Sequence, residues 1–328
     1  MENIFETKNL CKYYGKFKAL DGVDMSIPKG SIYGFVGRNG AGKTTLMRIM
    51  CGLQRPTAGE YSLFGIKNSD SQITTVRNKM GAVVETPAIY KDLSAYDNLK
   101  LQCLNVGIPD FNEIPKLLKL VGLDNVGRKK AKAFSLGMRQ RLGIAVALCS
   151  HPDFLVLDEP TNGLDPQGIV ELRDLFLNLN KNYGVTILIS SHILEELSKI
   201  ATDYALISYG RIIEEISSEE LMNRCRGKVQ IKTKFTDKVV TVLDNNGFTN
   251  YSVVDAETID IFERTDEVPE INMLIAKEGI LIDSIGSVET GLEDYFLKVA
   301  AKGKPENAKD LKAESKKKDS VEDRYIGE

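Results

Sequence analysis

The chain has 328 residues, more than one average domain holds, so a large domain followed by a smaller one is expected. Its 42% apolar and 27% charged residues suffice for a buried core, and a net charge of −3 gives no reason to expect nucleic acid as a partner. Five scattered cysteines without a CxxC pair and only two histidines argue against a disulfide framework or a Cys/His metal centre, as in a reduced, cytosolic chain.

No basic-then-apolar leader opens the sequence, and no apolar run nears the roughly 20 residues that cross a bilayer. Residues 1–30 alternate in short segments, and DGVDMSIPKG reads as a strand closed by a Pro/Gly turn. SIYGFVG (31–37) is a β-rich run that stops at glycine. GKTTLMRIMCGL (42–53) then places Leu46, Ile49, Met50 and Leu53 on one helical face. Residues 92–150 read mostly as helices, among them FNEIPKLLKLVGL and RLGIAVALCS, the latter ending before Pro152. FLVLD (154–158) is a short buried strand, GIVELRDLFLNLNKNYG an amphipathic helix with a glycine stop, and VTILISSH (185–192) another buried strand. ILEELSKIAT follows as a helix, and DYALISYGRIIEEI as two strands. Strands alternating with helices predict a mostly parallel α/β sheet.

From about residue 217 the order becomes strand KVQIKTKF, helix DKVVTVLDNNG, strands YSVVD and TIDIFER, helix PEINMLIAKEG and strand ILIDSI. That β-α-β-β-α-β order is the split βαβ pattern of ferredoxin-like folds. VETGLEDYFLKVA (288–300) reads as a closing helix. Residues 301–328, dense in Lys, Asp and Glu, are expected to form a solvated, disordered tail. The expected division is therefore 1–216, 217–300 and 301–328.

Two motifs carry chemistry. Gly37-Arg38-Asn39-Gly40-Ala41-Gly42-Lys43-Thr44 fits GxxxxGK[ST] and lies between a strand and a helix. Its glycines let backbone N–H groups converge in one concavity, beside the positive end of the helix, which makes an anion site. Lys43 is placed to reach the β- and γ-phosphates of a nucleotide, the Thr44 hydroxyl to ligate Mg2+, and Thr45 follows in the same turn. Second, the strand Phe154–Leu157 runs into Asp158 and Glu159. Asp158 is placed to hold Mg2+ and Glu159 to polarise the attacking water, a role typically worth 10²–10⁴ in rate. Together the motifs define a P-loop NTPase.

Between them lies Phe134-Ser135-Leu136-Gly137-Met138-Arg139-Gln140-Arg141. A P-loop, a helical insert, a serine-glycine helix start and then an Asp-Glu strand is an order that resembles the ABC ATPase family over about residues 1–220. The stretch aligns with the family signature LSGGQxQR: Ser135, Gly137, Gln140 and Arg141 match, while Leu136 and Met138 replace a glycine and a glutamine. The resemblance implies that Ser135 and the Gly137 N–H bind the γ-phosphate of ATP held by an opposite subunit. A serine capping a helix whose positive end favours an anion suits that task, although the Leu136 Cβ limits backbone approach. By the same resemblance Tyr14 stacks on adenine, and Asn162-Gly163-Leu164-Asp165 is the D-loop, with Asp165 along the dimer interface. His192 is the switch histidine that contacts the γ-phosphate. Gly81-Ala82-Val83-Val84-Glu85-Thr86-Pro87 occupies the Q-loop, but Glu85 stands where the family has glutamine. A carboxylate there can ligate Mg2+ or hold water, yet it adds repulsion toward phosphates.

GAVVETPAIYKDLSAYDNL and FSLGMRQR, with the C-terminal extension, are similar to the bacitracin and lantibiotic exporter or self-protection branch. The resemblance implies a RecA-like α/β core with an antiparallel β subdomain near the N-terminus, a helical subdomain at about 86–150 and a small C-terminal α/β domain. It further implies ATP and Mg2+ as cofactors and a head-to-tail homodimer sharing two ATP molecules. A separate permease would hold the dimer on the inner face of the cell membrane, and hydrolysis would power export. An alternative is a soluble ABC ATPase acting on ribosomes or DNA. Such relatives usually carry two cassettes or a long coiled coil, whereas this chain has one P-loop motif and no long heptads. A nucleotide-gated binding module without turnover is the other alternative, and the presence of Glu159 and His192 argues against it.

Overall fold

The computed structural model describes residues 2–225, 227–288 and 291–302. Strands β1 (Asn3–Tyr14) and β2 (Phe17–Pro28) form an antiparallel hairpin. Strand β3 (Ile32–Val36) is buried throughout and leads through the glycine-rich loop into helix α1 (Lys43–Met50). Strands β4 (Ala58–Leu63) and β5 (Ile66–Lys67) then complete a four-stranded sheet of order β2-β1-β4-β5. A short helix α2 (Ile73–Val76) precedes strand β6 (Met80–Val83).

Three helices follow: α3 (Ala95–Asn105), α4 (Ile114–Leu120) and α5 (Leu136–Leu148). Each of α3 and α5 begins where a serine can satisfy the free N–H groups of a first turn. Ser94 accepts from the Asp97 N–H at 3.1 Å, and Ser135 from the Met138 N–H at 3.2 Å.

The chain then alternates: β7 (Phe154–Asp158), α6 (Pro166–Tyr183), β8 (Thr186–Ser191), α7 (Leu194–Leu197), β9 (Asp203–Ser208) and β10 (Arg211–Ser217). These strands join β3 and β6 in a six-stranded sheet of order β10-β9-β3-β8-β7-β6, parallel except for β10. A parallel sheet is covered on both faces, which is why β3, β7 and β8 are continuous apolar runs rather than alternating ones. Phe35, Leu46, Met47, Phe154, Val156 and Leu188 form one core with Phe5, Leu10 and Leu20 of the first sheet. Each such side chain contributes about 1.5–3 kcal/mol on burial. Parallel strands end at one edge, so the residues following β3, β6, β7 and β8 gather there, where open α/β sheets bind ligands.

Helix α8 (Ser218–Arg224), which the sequence did not suggest, leads to a second compact unit spanning Glu219–Tyr295. Among the described residues, the first unit comprises 2–218 together with 296–302. In the second unit β11 (Lys228–Lys232), α9 (Thr236–Asn245), β12 (Tyr251–Asp255), β13 (Thr258–Ile261), α10 (Val268–Lys277) and β14 (Ser284–Val288) follow in turn. All pairs in the sheet β12-β13-β11-β14 are antiparallel. Val239 and Leu243 of α9 and Ile271 and Ile275 of α10 cover Val229, Ile231, Ile259 and Ile261, giving the split βαβ arrangement.

The last strand starts later than the run ILIDSI suggests. Ser284 pairs with Lys232, the final residue of β11, so residues before 284 have no strand left to pair with. Ile280 and Ile282 still pack on the core from the preceding loop. The closing helix α11 (Leu292–Lys302) also starts later than expected, because Val288 is still in β14. Most of the expected charged tail, residues 303–328, lies outside the described residues. Among the described residues, no helix is long and apolar enough to cross a membrane.

Candidate active site

The glycine-rich loop begins where β3 ends. The Gly37 N–H donates to the Ser191 carbonyl at 3.2 Å, which ties the loop to the end of β8. Ala41 is buried, and its N–H donates to the Arg38 carbonyl at 3.0 Å, so Arg38, Asn39 and Gly40 form an exposed outer turn. Gly42 has a φ of +113°, and a Cβ there would lie 2.6 Å from the Ala19 carbonyl oxygen, so only glycine fits. Gly42 precedes α1, whose N-terminus carries no side-chain cap. The first-turn N–H groups of Lys43, Thr44 and half-buried Thr45 therefore have no capping side chain, which suits an anion there.

Lys43 is only 5% exposed, so its charge needs partners. Its ammonium donates to the Gly37 carbonyl at 2.6 Å and lies 3.2 Å from Glu159 Oε1. The other carboxylate oxygen of Glu159 lies 3.1 Å from His192 Nδ1. Glu159 thus stands between a cation and an imidazole, and it does so with a φ of +45°. A non-glycine residue in that region costs about 1–3 kcal/mol, and such strain concentrates at functional sites.

Asp158 closes β7 and is 5% exposed. Its Oδ2 accepts the Thr44 hydroxyl at 2.7 Å and its Oδ1 the Ser190 hydroxyl at 2.6 Å. One hydroxyl and one carboxylate are the hard oxygen donors that Mg2+ takes from a protein when substrate phosphates and waters supply the rest. The residues present therefore fit a nucleotide with its metal: a glycine cradle, a lysine, and a Thr–Asp pair beside it.

The remaining expected residues flank this cluster. Tyr14 ends β1, and its hydroxyl donates to Gln54 Oε1 at 2.6 Å, while the Lys12 ammonium sits 5.3 Å from the ring centroid. Glu85 lies two residues beyond β6 with a φ of +65° and pairs with Arg48 of α1. Among the described residues it makes no hydrogen bond to Thr44 or Asp158; the guanidinium offsets its charge instead. Ser135, Gly137 and Asp165 stand apart, with no hydrogen bond to residues 37–44. Ser135 caps α5, and Asp165 caps α6 by accepting the Gly168 N–H at 3.2 Å. Leu136, 44% exposed, reaches the D-loop: a Cβ on Gly163 would lie 2.9 Å from its Cδ2.

The sequence did not single out Ser190 or Gln54. Ser190 carries a weak signal, a polar residue ending an apolar buried strand. In register it stands directly opposite Asp158.

A buried lysine at a helix N-terminus, paired with one carboxylate, beside a threonine hydroxyl bonded to a second, is an arrangement suited to cleaving a terminal phosphate from a nucleotide. Fold and site thus define an ATPase of the P-loop class. Residues 20–162 match the ABC transporter family. The chain is 40% identical to the bacitracin transport ATP-binding protein BcrA of Enterococcus faecalis, over 92% of its own length and 98% of that protein. It is 46% identical to the lantibiotic transport ATP-binding protein SrtF of Streptococcus pyogenes, over 65% of its length and 90% of that protein. Among solved structures, a dimeric ATP-binding cassette bound to ADP and Pi, in a post-hydrolysis state, superposes with a TM-score of 0.59 at 26% identity, covering 65% of this chain and 98% of that one. The chain therefore belongs to the ABC transporter ATP-binding protein family.

Proposed function

We propose that this chain is the ATP-hydrolysing subunit of a transporter that exports an antimicrobial peptide or similar drug through a separate membrane permease. The observation that carries this reading is the likeness to a bacitracin transport subunit along nearly the whole chain, the second compact unit included. The subunit would sit on the inner face of the membrane, held there by the permease.

In this reading Thr44 and Asp158 hold Mg2+, which, when bound, offsets the charge that develops on the phosphates. Lys43 moves its ammonium from the Gly37 carbonyl and Glu159 to the β- and γ-phosphates. That frees Glu159 to orient and deprotonate a water, with His192 holding the other carboxylate oxygen in place. Tyr14 stacks on the base. Ser135 and Gly137 belong in this reading to the site of a second copy, a pairing that the dimeric state of a similar solved cassette supports. The product is a homodimer with two shared sites, whose closure and opening drive the permease.

Two measurements test this. Glu159→Gln should retain ATP and trap the dimer. Size-exclusion chromatography with ATP that shows only monomer, with and without the permease, counts against the shared site. Disruption of the gene should raise sensitivity to bacitracin or a lantibiotic, and a Lys43→Ala copy should fail to restore resistance. Restoration by Lys43→Ala contradicts an ATP-driven role.

A further inference from the structure

We infer that Ser190 is a positioning residue for ATP hydrolysis, setting the metal-binding aspartate and the carboxylate base with one hydroxyl. The inference rests on the roles proposed above for Asp158 and Glu159.

Ser190 is fully buried in β8, beside β7 and in register with Asp158. A serine hydroxyl has one hydrogen to give and lone pairs to receive. Here the hydrogen goes to Asp158 Oδ1 at 2.6 Å, and a lone pair receives the Glu159 N–H at 2.9 Å. Both bonds lie on residues that would act on ATP, and they fix different things. The first holds one Asp158 oxygen, which leaves the other turned to Thr44 and the metal position. The second anchors the backbone of Glu159 in its left-handed conformation, which points the carboxylate at Lys43 and His192. The neighbouring Ser191 does neither: its hydroxyl accepts the Ile193 N–H at 2.9 Å and its carbonyl accepts the Gly37 N–H. The serine pair is thus divided, one for the carboxylates and one for the phosphate loop.

An alanine at 190 would leave a buried carboxylate oxygen without its donor and a backbone N–H without its acceptor. Groups that orient metal ligands in this way typically change metal affinity or activity by about 10–100-fold when removed. The test uses the full-length chain, a fluorescent ATP analogue and a Mg2+ titration, with turnover measured alongside. In Ser190→Ala, affinity for the analogue in EDTA should stay close to wild type. The Mg2+ concentration for half-maximal tightening should rise about tenfold and kcat should fall by a similar factor, with KM moving less. Ser190→Thr, which keeps the hydroxyl, should restore both.

An unchanged Mg2+ requirement in Ser190→Ala overturns the inference, as does equal loss of binding in EDTA or failure of Ser190→Thr to restore the requirement. Should the alanine variant not fold, Ser190→Cys, of similar size but a weak donor, decides by the same Mg2+ readout. Asp158→Asn runs in parallel. If it too leaves the Mg2+ requirement unchanged, the role of Asp158 fails; if it shifts the requirement and Ser190→Ala does not, only the role of Ser190 fails.

Discussion

Lys43 is the residue on which the site turns, because it is buried, charged and satisfied by groups that a phosphate can replace. Hydrogen bonds to charged groups contribute about 1.5–3 kcal/mol, so Lys43→Ala should weaken nucleotide binding by roughly ten- to a hundredfold in a fluorescent titration. Unchanged affinity would sink the phosphate-loop assignment. Glu85 is the contrasting case. Its pair with Arg48 is half exposed, and such pairs are worth about 0–1 kcal/mol. Glu85→Gln should therefore leave thermal stability and the Mg2+ requirement of the ATPase largely unchanged. A marked shift in the Mg2+ requirement places Glu85 among the groups that act on the metal.

Residues whose placement depends on local chain geometry were legible in the sequence: Lys43 and Thr44 from the loop, Asp158 and Glu159 from the strand that carries them, and the structure brings the four together. Ser190 was not, since its meaning comes from the strand beside it, 32 residues away from Asp158 in sequence. The Arg48 partner of Glu85 was hidden for the same reason. An ion pair between a helix and a distant loop leaves no periodic trace.

At the scale of elements, the start of α5 combines a cap and a contact. Ser135→Ala removes the cap and should lower helix or protein stability by about 0.5–2 kcal/mol, read by thermal denaturation. Leu136→Gly, which brings the stretch to the usual family pattern, loses the contact with the D-loop and, at the first helical residue, only a fraction of the about 1 kcal/mol that glycine costs in a helix interior. A stability equal to wild type for both variants would show that α5 is held by its buried face alone. The alternating α/β order was readable because parallel strands are apolar runs and helices repeat at their own period. The end of the second unit was misread by several residues. The alternation of Ile280 and Ile282 reports burial, whereas strand pairing also needs a partner, and β11 has already ended. Helix α8 carries too short an apolar face, only Leu221 being buried, to show periodicity.

At the scale of the whole molecule, the composite site proposed above makes a prediction that no single chain can satisfy. Lys43→Ala disables the loop half, and Gly137→Asp sets a carboxylate against the phosphate in the other half. Each variant alone should be inactive. Mixed in equal parts, half of the dimers pair one of each and keep one intact site out of two, so about a quarter of wild-type turnover should return. No recovery on mixing means that both halves act within one chain.

The closeness of Leu136 to Gly163 has a consequence for how this sequence can drift. Gly163 has a φ of +74°, a conformation that asparagine tolerates better than most side chains. With glycine at position 136, asparagine at 163 would meet only the backbone requirement. Here a Cβ would also lie 2.9 Å from Leu136 Cδ2, but that is the far end of a flexible side chain, 44% exposed, which can swing aside. The left-handed backbone, more than the leucine, is thus what restricts position 163, and Gly163→Asn should fold with the Leu136 side chain turned outward.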